Sequence, residues 1–217
     1  MIPNYFKKPV RLDTLHRWLR QPGIKVLDVG CGNHSATKTK SYYPECLYYG
    51  VDKNLRYNND ARDLACMEAF YEVDLSQCGT LAVIPDDYFD CVIVSHVIEH
   101  IENGEDMLGE LIKKMAPGGI LYVEFPSEKS TMLPSMKGTL NFYDDPSHVK
   151  LYNLKKLNLF LTESGLSIIK SGIRRSFKRI LLLPLYAGAS FFAQGFISGH
   201  VLWDIAGFAC YCIAQKK

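Results

Sequence analysis

The residues best equipped for chemistry sit at the ends of short apolar runs. Val26 and Leu27 lead into Asp28-Val29-Gly30-Cys31-Gly32, an acid followed by two glycines two positions apart. Glycines at that spacing let the backbone turn sharply and let a ligand lie against the main chain. A dinucleotide-binding loop would carry a third glycine where this chain has Ser35. A pyrophosphate would also be repelled by a carboxylate just before the first glycine, so the loop suits a cationic ligand without phosphates. Asp52 closes the run 47–52, about 20 residues past the glycines, where a second strand can offer a carboxylate to ribose hydroxyls. Asp74 follows the short run 71–73, and Ser95 and His96 follow the run 89–94, with Glu99 and His100 just beyond. His148 stands in the polar stretch 141–148. Histidines in such positions can take a proton from an oxygen nucleophile near neutral pH.

Taken in order, the Asp28-x-Gly30-x-Gly32 loop, Asp52, Asp74-Leu75, Ser95-His96 and the Pro117-Gly118-Gly119 turn resemble the class I S-adenosylmethionine-dependent methyltransferases, in particular the small-molecule, type 11-like domains. The resemblance covers about residues 20–170. It implies S-adenosylmethionine as cofactor, with Gly30 and Gly32 under its methionine part and Asp28 organising its ammonium group. Asp52 would take both ribose hydroxyls, and Asp74 with Leu75 would hold the adenine. Cys31, Lys53 and Ser95 fall within the same cofactor-contacting strand ends. His148, in the loop after the fifth strand, and His96, beside the expected methyl position, are the candidate catalytic residues. His34 replaces the family's usual small residue at the end of the loop. No metal is expected; the alternative is a site of Glu99, His100 and His148, similar to the E-x-x-E-H segments of some relatives, although His96 stands where the first acid would be.

At 217 residues the chain has room for one well-buried domain, read as residues 1–217. Hydrophobic residues at 47% and charged residues at 22% are those of a globular protein, and a net charge of +2 gives no bulk attraction to nucleic acid. Seven cysteines form no CxxC pair, which fits free thiols in a reducing cytoplasm. The first residues have no apolar signal-peptide core. The expected activity is methylation, on oxygen, of a small molecule or a glycan- or lipid-linked precursor, with no nucleic-acid partner. Two rival readings are a nucleic-acid 2′-O-methyltransferase and a non-catalytic S-adenosylmethionine-binding module.

These residues need a scaffold, and the pattern predicts an α/β, Rossmann-like sheet of seven mostly parallel strands with helices on both faces and an antiparallel last strand. Residues 1–22 read as an N-terminal helical segment, with Leu12, Leu15, Trp18 and Leu19 inward and Arg11, Arg17 and Arg20 outward. Helical spacing returns over 105–115 and over 154–164, the latter capped by Asn153 and closed by Gly165. Runs 166–170 and 208–213 read as the sixth and seventh strands. Between them, residues 178–205 form an apolar helical insertion. Residues 180–203 contain no Asp, Glu, Lys or Arg, and Arg174, Arg175, Lys178 and Arg179 stand directly before them. That length could cross a bilayer, but Pro184, Gln194, two serines and three glycines oppose it. The expectation is packing on the domain's own sheet or on a second copy, a dimer; peripheral membrane contact through 180–203 is the alternative.

Overall fold

The computed structural model describes residues 8–55, 58–77 and 79–217. A seven-stranded sheet runs β1 (Lys25–Val29), β2 (Leu47–Asp52), β3 (Ala69–Glu72), β4 (Phe89–Ser95), β5 (Met115–Pro126), β6 (Leu166–Ile173) and β7 (Ala209–Lys216). Its spatial order is β3-β2-β1-β4-β5-β7-β6, and only β7 is antiparallel to its neighbours. The strand order reverses between β1 and β4, and in such sheets ligands lie outside the carboxyl ends at that point.

Alternation along the strands sorts side chains to two faces. Leu27, Val29, Val92, Val94, Leu121 and Val123 join one core with Leu108 and Leu111 of α5 (Gly104–Lys114) and Leu157 and Leu161 of α6 (Leu154–Glu163). Val26, Ile93, Ile120 and Tyr122 join the other, under Leu12, Leu15 and Leu19. Those leucines come from two short helices, α1 (Val10–Thr14) and α2 (His16–Leu19), rather than one, because Leu15 leaves helical geometry at φ −90°, ψ 3°. Residues 1–7 of the expected N-terminal segment lie outside the described residues. Helices α3 (Ser35–Tyr42) and α4 (Ala61–Ala65) complete the cofactor half.

Asn153 caps α6 by accepting from the Lys156 N–H at 3.0 Å, and Gly165 leaves the helix at φ +90°. Strand β5 starts earlier than expected and takes in Pro117-Gly118-Gly119, with an irregular register between Phe89 and Cys91 on its neighbour. The run 71–73 is also shifted, since β3 ends at Glu72.

The insertion between β6 and β7 is helical: α7 (Phe177–Leu181), α8 (Leu183–Gln194), a 3-10 turn Gly199–Leu202 and α9 (Trp203–Ala206). Its expected packing on the rest of the domain is found only in its second part, where Trp203 stacks on Phe208 and Asp204 is buried, and not in α7 and α8. In α8 only Ser190 is buried, whereas Phe177 and Leu181 are 81% exposed and Phe192 is 89% exposed. The helices are short and interrupted, so they share few positions with the sheet. Among the described residues no helix is long and apolar enough to cross a membrane.

Candidate functional site

The glycine loop leaves β1 through Gly30, whose φ is +71° and whose missing Cβ would lie 2.4 Å from Val97 Cγ2. Any other residue would have to displace Val97 and hold a left-handed backbone. The loop returns toward β2: the Gly30 and Cys31 N–H groups donate to Val51 O at 2.8 and 3.2 Å, and the Gly32 N–H donates to Asp52 Oδ2 at 3.2 Å. Asp52 is thus held at the end of β2 by the loop itself.

Asp28 is 3% exposed and lies beneath the loop. Its Oδ2 accepts from Tyr48 OH at 2.7 Å and from Ser35 Oγ. Ser35 also accepts from Arg11 Nη2 at 2.8 Å. Ser35 therefore ties the acid to a cation from α1, which explains a serine where a dinucleotide loop has glycine. Arg11, expected to point outward, turns inward to this corner. The Cys31 thiol packs beneath Gly50, where an added Cβ would meet its Sγ at 2.6 Å, and burial pushes its pKa up. Only the Cys31 backbone is left to face a ligand.

Asn33 and His34 both take left-handed backbone, φ 60° and 58°. His34 leans away, its Nδ1 2.6 Å from buried Asp63 Oδ2. Asp74 is exposed and accepts from Ser76 N–H, Ser76 Oγ and Gln77 Nε2, while Leu75 packs against the core. The Ser76 hydrogen bonds dominate in holding the Asp74 carboxyl below its ordinary range, and exposed Lys53 nearby adds to them.

A cavity of about 900 Å³ opens beside these strand ends. Asn33 and Arg11 line it on the loop side, Ser95 and His96 at the end of β4, and Glu124 at the end of β5. The far wall comes from Thr139 and from the stretch after β6, including Arg174, Arg179, His200 and Trp203. The Trp203 indole N–H donates to Thr139 O at 2.6 Å, pinning the insertion to the loop after β5.

His96 has φ 56° and its N–H donates to Glu124 O. Its ring is held between two acids, Nδ1 3.0 Å from Glu99 Oε1 and Nε2 3.0 Å from Glu124 Oε1. Burial alone would lower its pKa, but the hydrogen bonds to Glu124 and Glu99 outweigh it and raise it to about 9. Burial alone would raise the Glu124 pKa, but the charge of Arg174 and the His96 bond outweigh it and hold the carboxyl low. An imidazolium with both nitrogens engaged has no lone pair for a proton, so this geometry argues against the base role expected of His96.

His148 is not among the residues lining the cavity. Its Nδ1 donates to Phe142 O at 2.6 Å, which leaves Nε2 as the acceptor nitrogen. One ligand atom from each of Glu99, His100 and His148 lies within 4.8 Å of the others, and Glu99 Oε2 is buried without a hydrogen-bond partner. These three side chains are close enough together to share an ion.

Sequence reasoning missed Glu124, Arg174, Arg179, His200 and Trp203 as site residues. One signal was present: Glu124 is the lone acid in the apolar run 120–125 at a strand's carboxyl end. His200 lines the cavity with its pKa lowered by burial and by Arg179, which leaves it neutral near pH 7.

The architecture is that of class I methyltransferases, and residues 5–171 match a family described as a methyltransferase domain. The chain belongs to that family, whose cofactor is S-adenosylmethionine. A trans-aconitate 2-methyltransferase of Azoarcus sp. (strain BH72) is 26% identical over 137 residues, 63% of this chain and 47% of the relative. The chain spans about half or less of the length of the curated relatives it matches. Among solved structures, a SAM-dependent methyltransferase from Archaeoglobus fulgidus aligns with a TM-score of 0.63 at 20% identity, covering 99% of this chain and 95% of that one. A Haemonchus contortus phosphoethanolamine N-methyltransferase 2, in complex with phosphomonomethylethanolamine and S-adenosylhomocysteine, aligns at 0.64 and 17% identity over 96% of this chain and 52% of that one.

Proposed function

We propose that the protein transfers a methyl group from S-adenosylmethionine to an oxygen of a small molecule or of a glycan- or lipid-linked precursor. The observation that carries this reading is a cavity lined both by Asn33, directly after the glycine loop, and by Glu124, Arg174 and Trp203. The residues fit the cofactor. Asp52 presents its carboxylate at the end of β2, Asp74 and Leu75 stand at the end of β3, and Arg11 has a buried Nε without a hydrogen-bond partner beside the loop, suited to a carboxylate. When bound, the cofactor supplies an electrophilic methyl on a sulfonium, and the transfer is an in-line displacement.

The chain's own contribution is alignment and exclusion of water. Ser95 and the His96 backbone border the cavity beside the glycine loop, and Trp203 walls its far side. For a hydroxyl acceptor, His200 is the lining side chain able to take a proton, because His96 is held as a cation. If an ion occupies Glu99, His100 and His148, its charge would act on the cavity through the Glu99–His96–Glu124 chain.

A lipid-linked acceptor is supported by the exposed Phe177, Leu181, Leu185 and Phe192 of the insertion, which also supplies part of the cavity wall. A cytoplasmic setting accords with the free Cys31, Cys46, Cys66, Cys91, Cys210 and Cys212. The test is incubation with radiolabelled S-adenosylmethionine and pools of small, glycan and lipid-linked acceptors, beside calorimetry with S-adenosylhomocysteine. Label in an oxygen ester or ether of one pool is the expected result. Cofactor binding with no label in any pool would favour the non-catalytic binding module.

A further inference from the structure

The far wall of the cavity has more cationic hydrogen-bonding capacity than the protein itself uses. Arg174 leaves β6 with its N–H donating to Ala209 O at 2.8 Å, so β7 fixes its backbone. The residue is only 5% exposed, yet it lines the cavity. Its Nε lies 3.6 Å from Glu124 Oε1 and its Nη2 3.8 Å from Asp204 Oδ2. Those separations keep the ionic attraction but are too long for hydrogen bonds. Neither nitrogen has a hydrogen-bond partner.

Arg179, on α7, adds a second guanidinium to the same wall, its Nε 3.4 Å from Asp204 Oδ2. Asp204 is itself 2% exposed and is fixed by the Ser176 N–H, which donates to Oδ1 at 2.8 Å. The acids keep the arginines charged and oriented, both arginines line the cavity, and Arg174 Nε and Nη2 are buried without a hydrogen-bond partner. A buried donor without a partner forfeits its hydration and gains nothing in return, so an acceptor oxygen entering the cavity meets a guanidinium whose hydrogen-bonding capacity the protein leaves unused. Guanidinium forks match carboxylate and phosphate oxygens in geometry as well as charge.

We propose that the methyl acceptor is an anion, bearing a carboxylate or a phosphate, and that Arg174 and Arg179 seat that group on the wall beside Trp203. This rests on the methyltransferase reading of the cavity and narrows it to a substrate class. Arg11 is tied to Ser35, and Lys38 donates to Asn33 O at 2.6 Å, both next to the glycine loop where the cofactor's own carboxylate would lie. An ionised acceptor oxygen brings its own electron pair. If that oxygen is the nucleophile, the new O–CH3 bond forms as the S–CH3 bond breaks with its pair going to sulfur, and no proton has to move.

Calorimetry on the full chain saturated with S-adenosylhomocysteine tests this, with citrate, inorganic phosphate and neutral glycerol as probes at low and high salt. At least one anion should bind saturably, weaken at high salt, and lose about tenfold or more in affinity in Arg174→Gln and Arg179→Gln. Arg174→Lys should retain part of the affinity, and glycerol should not bind. Preference for citrate or for phosphate identifies the carboxylate or the phosphate as the seated group. Should Arg174→Gln fail to fold, Arg179→Gln, at a partly exposed position, still decides the matter. The proposal is overturned if neither anion binds, or if binding is unchanged in the variants, while S-adenosylhomocysteine binds with unaltered affinity; water alone would then satisfy the arginines. Failure of the wild type to bind S-adenosylhomocysteine would instead overturn the cofactor reading beneath it.

Discussion

Replacing Glu124 by Gln removes one of the two acids that hold the His96 ring and leaves its shape nearly unchanged. In the wild type the pKa of His96 rises from 6.5 to about 9, so folding favours the imidazolium by about 3 kcal/mol. A histidine whose pKa is raised on folding lends that stability in full below about pH 6.5, and the contribution disappears as pH rises through about 9. Glu124 acts in the opposite sense. Its pKa is lowered on folding, so its contribution is present above the ordinary carboxylate range and fails only in strong acid. The pair should therefore give a melting temperature that is highest in mildly acidic solution and declines steadily from about pH 6.5 to about 9. Glu124→Gln should lower the His96 pKa by about one unit or more, since Glu99 alone remains. It should also flatten that decline. The assay is nitrogen-15 NMR of the histidine rings across pH, with thermal melts in the same buffers. A wild-type His96 that titrates near 6.5, or one whose pKa ignores the substitution, would refute the clamped imidazolium and restore His96 as a candidate base.

Asp52→Ala should weaken S-adenosylhomocysteine by about tenfold to a hundredfold in calorimetry, since hydrogen bonds to a charged acceptor are worth about 1.5–3 kcal/mol each; unchanged affinity would mean that the end of β2 does not meet the ribose. Zinc added to metal-free protein should raise the melting temperature of the wild type and not that of His148→Ala. An equal response from both proteins would show that Glu99, His100 and His148 hold no ion. Co-sedimentation with anionic vesicles should fall when Phe177 and Phe192 are both changed to Ser, and fall at high salt; a wild type that ignores such vesicles removes the lipid surface as the partner of α7 and α8.

The cofactor half was legible because its signals are local. The glycine loop, Asp52 and Asp74 each stand at the end of an apolar run, and strand polarity alone carries those ends to one edge of a parallel sheet. Strands β2 and β4 and the cap at Asn153 follow from patterns within a few residues. The acceptor half was not legible, because its parts meet only in space. Glu124, Arg174 and the pair His200 and Trp203 come from three separate stretches, and the antiparallel entry of β7 between β5 and β6 brings them together. Arg174 and Arg179 could be seen as a basic cluster, but nothing local says that Arg174 is buried against Glu124. His96 was recognised by its position, but the two acids that clamp its ring lie 3 and 28 residues away and left no local trace. The insertion was recognised as helical, yet its composition does not reveal how little of it the sheet would cover.

The position of β7 has a consequence for how the molecule comes into being. Strand β6 is hydrogen-bonded in the sheet only to β7, and the Arg174 backbone is fixed by Ala209. During synthesis, strands β1 to β5 have all their neighbours in the sheet, apart from β7 itself, once the first 126 residues have emerged. The glycine loop and Asp52 can thus be assembled while the far wall is still unthreaded chain. Residues 166–207 must wait until the last strand slides between its two partners, and only then does the cavity acquire its second side. A nascent chain arrested before β7 would therefore expose a nearly finished nucleoside platform facing open water, with the segment that carries α7 and α8 not yet tied down by β7. That is the stage at which the growing protein has most to gain from a chaperone.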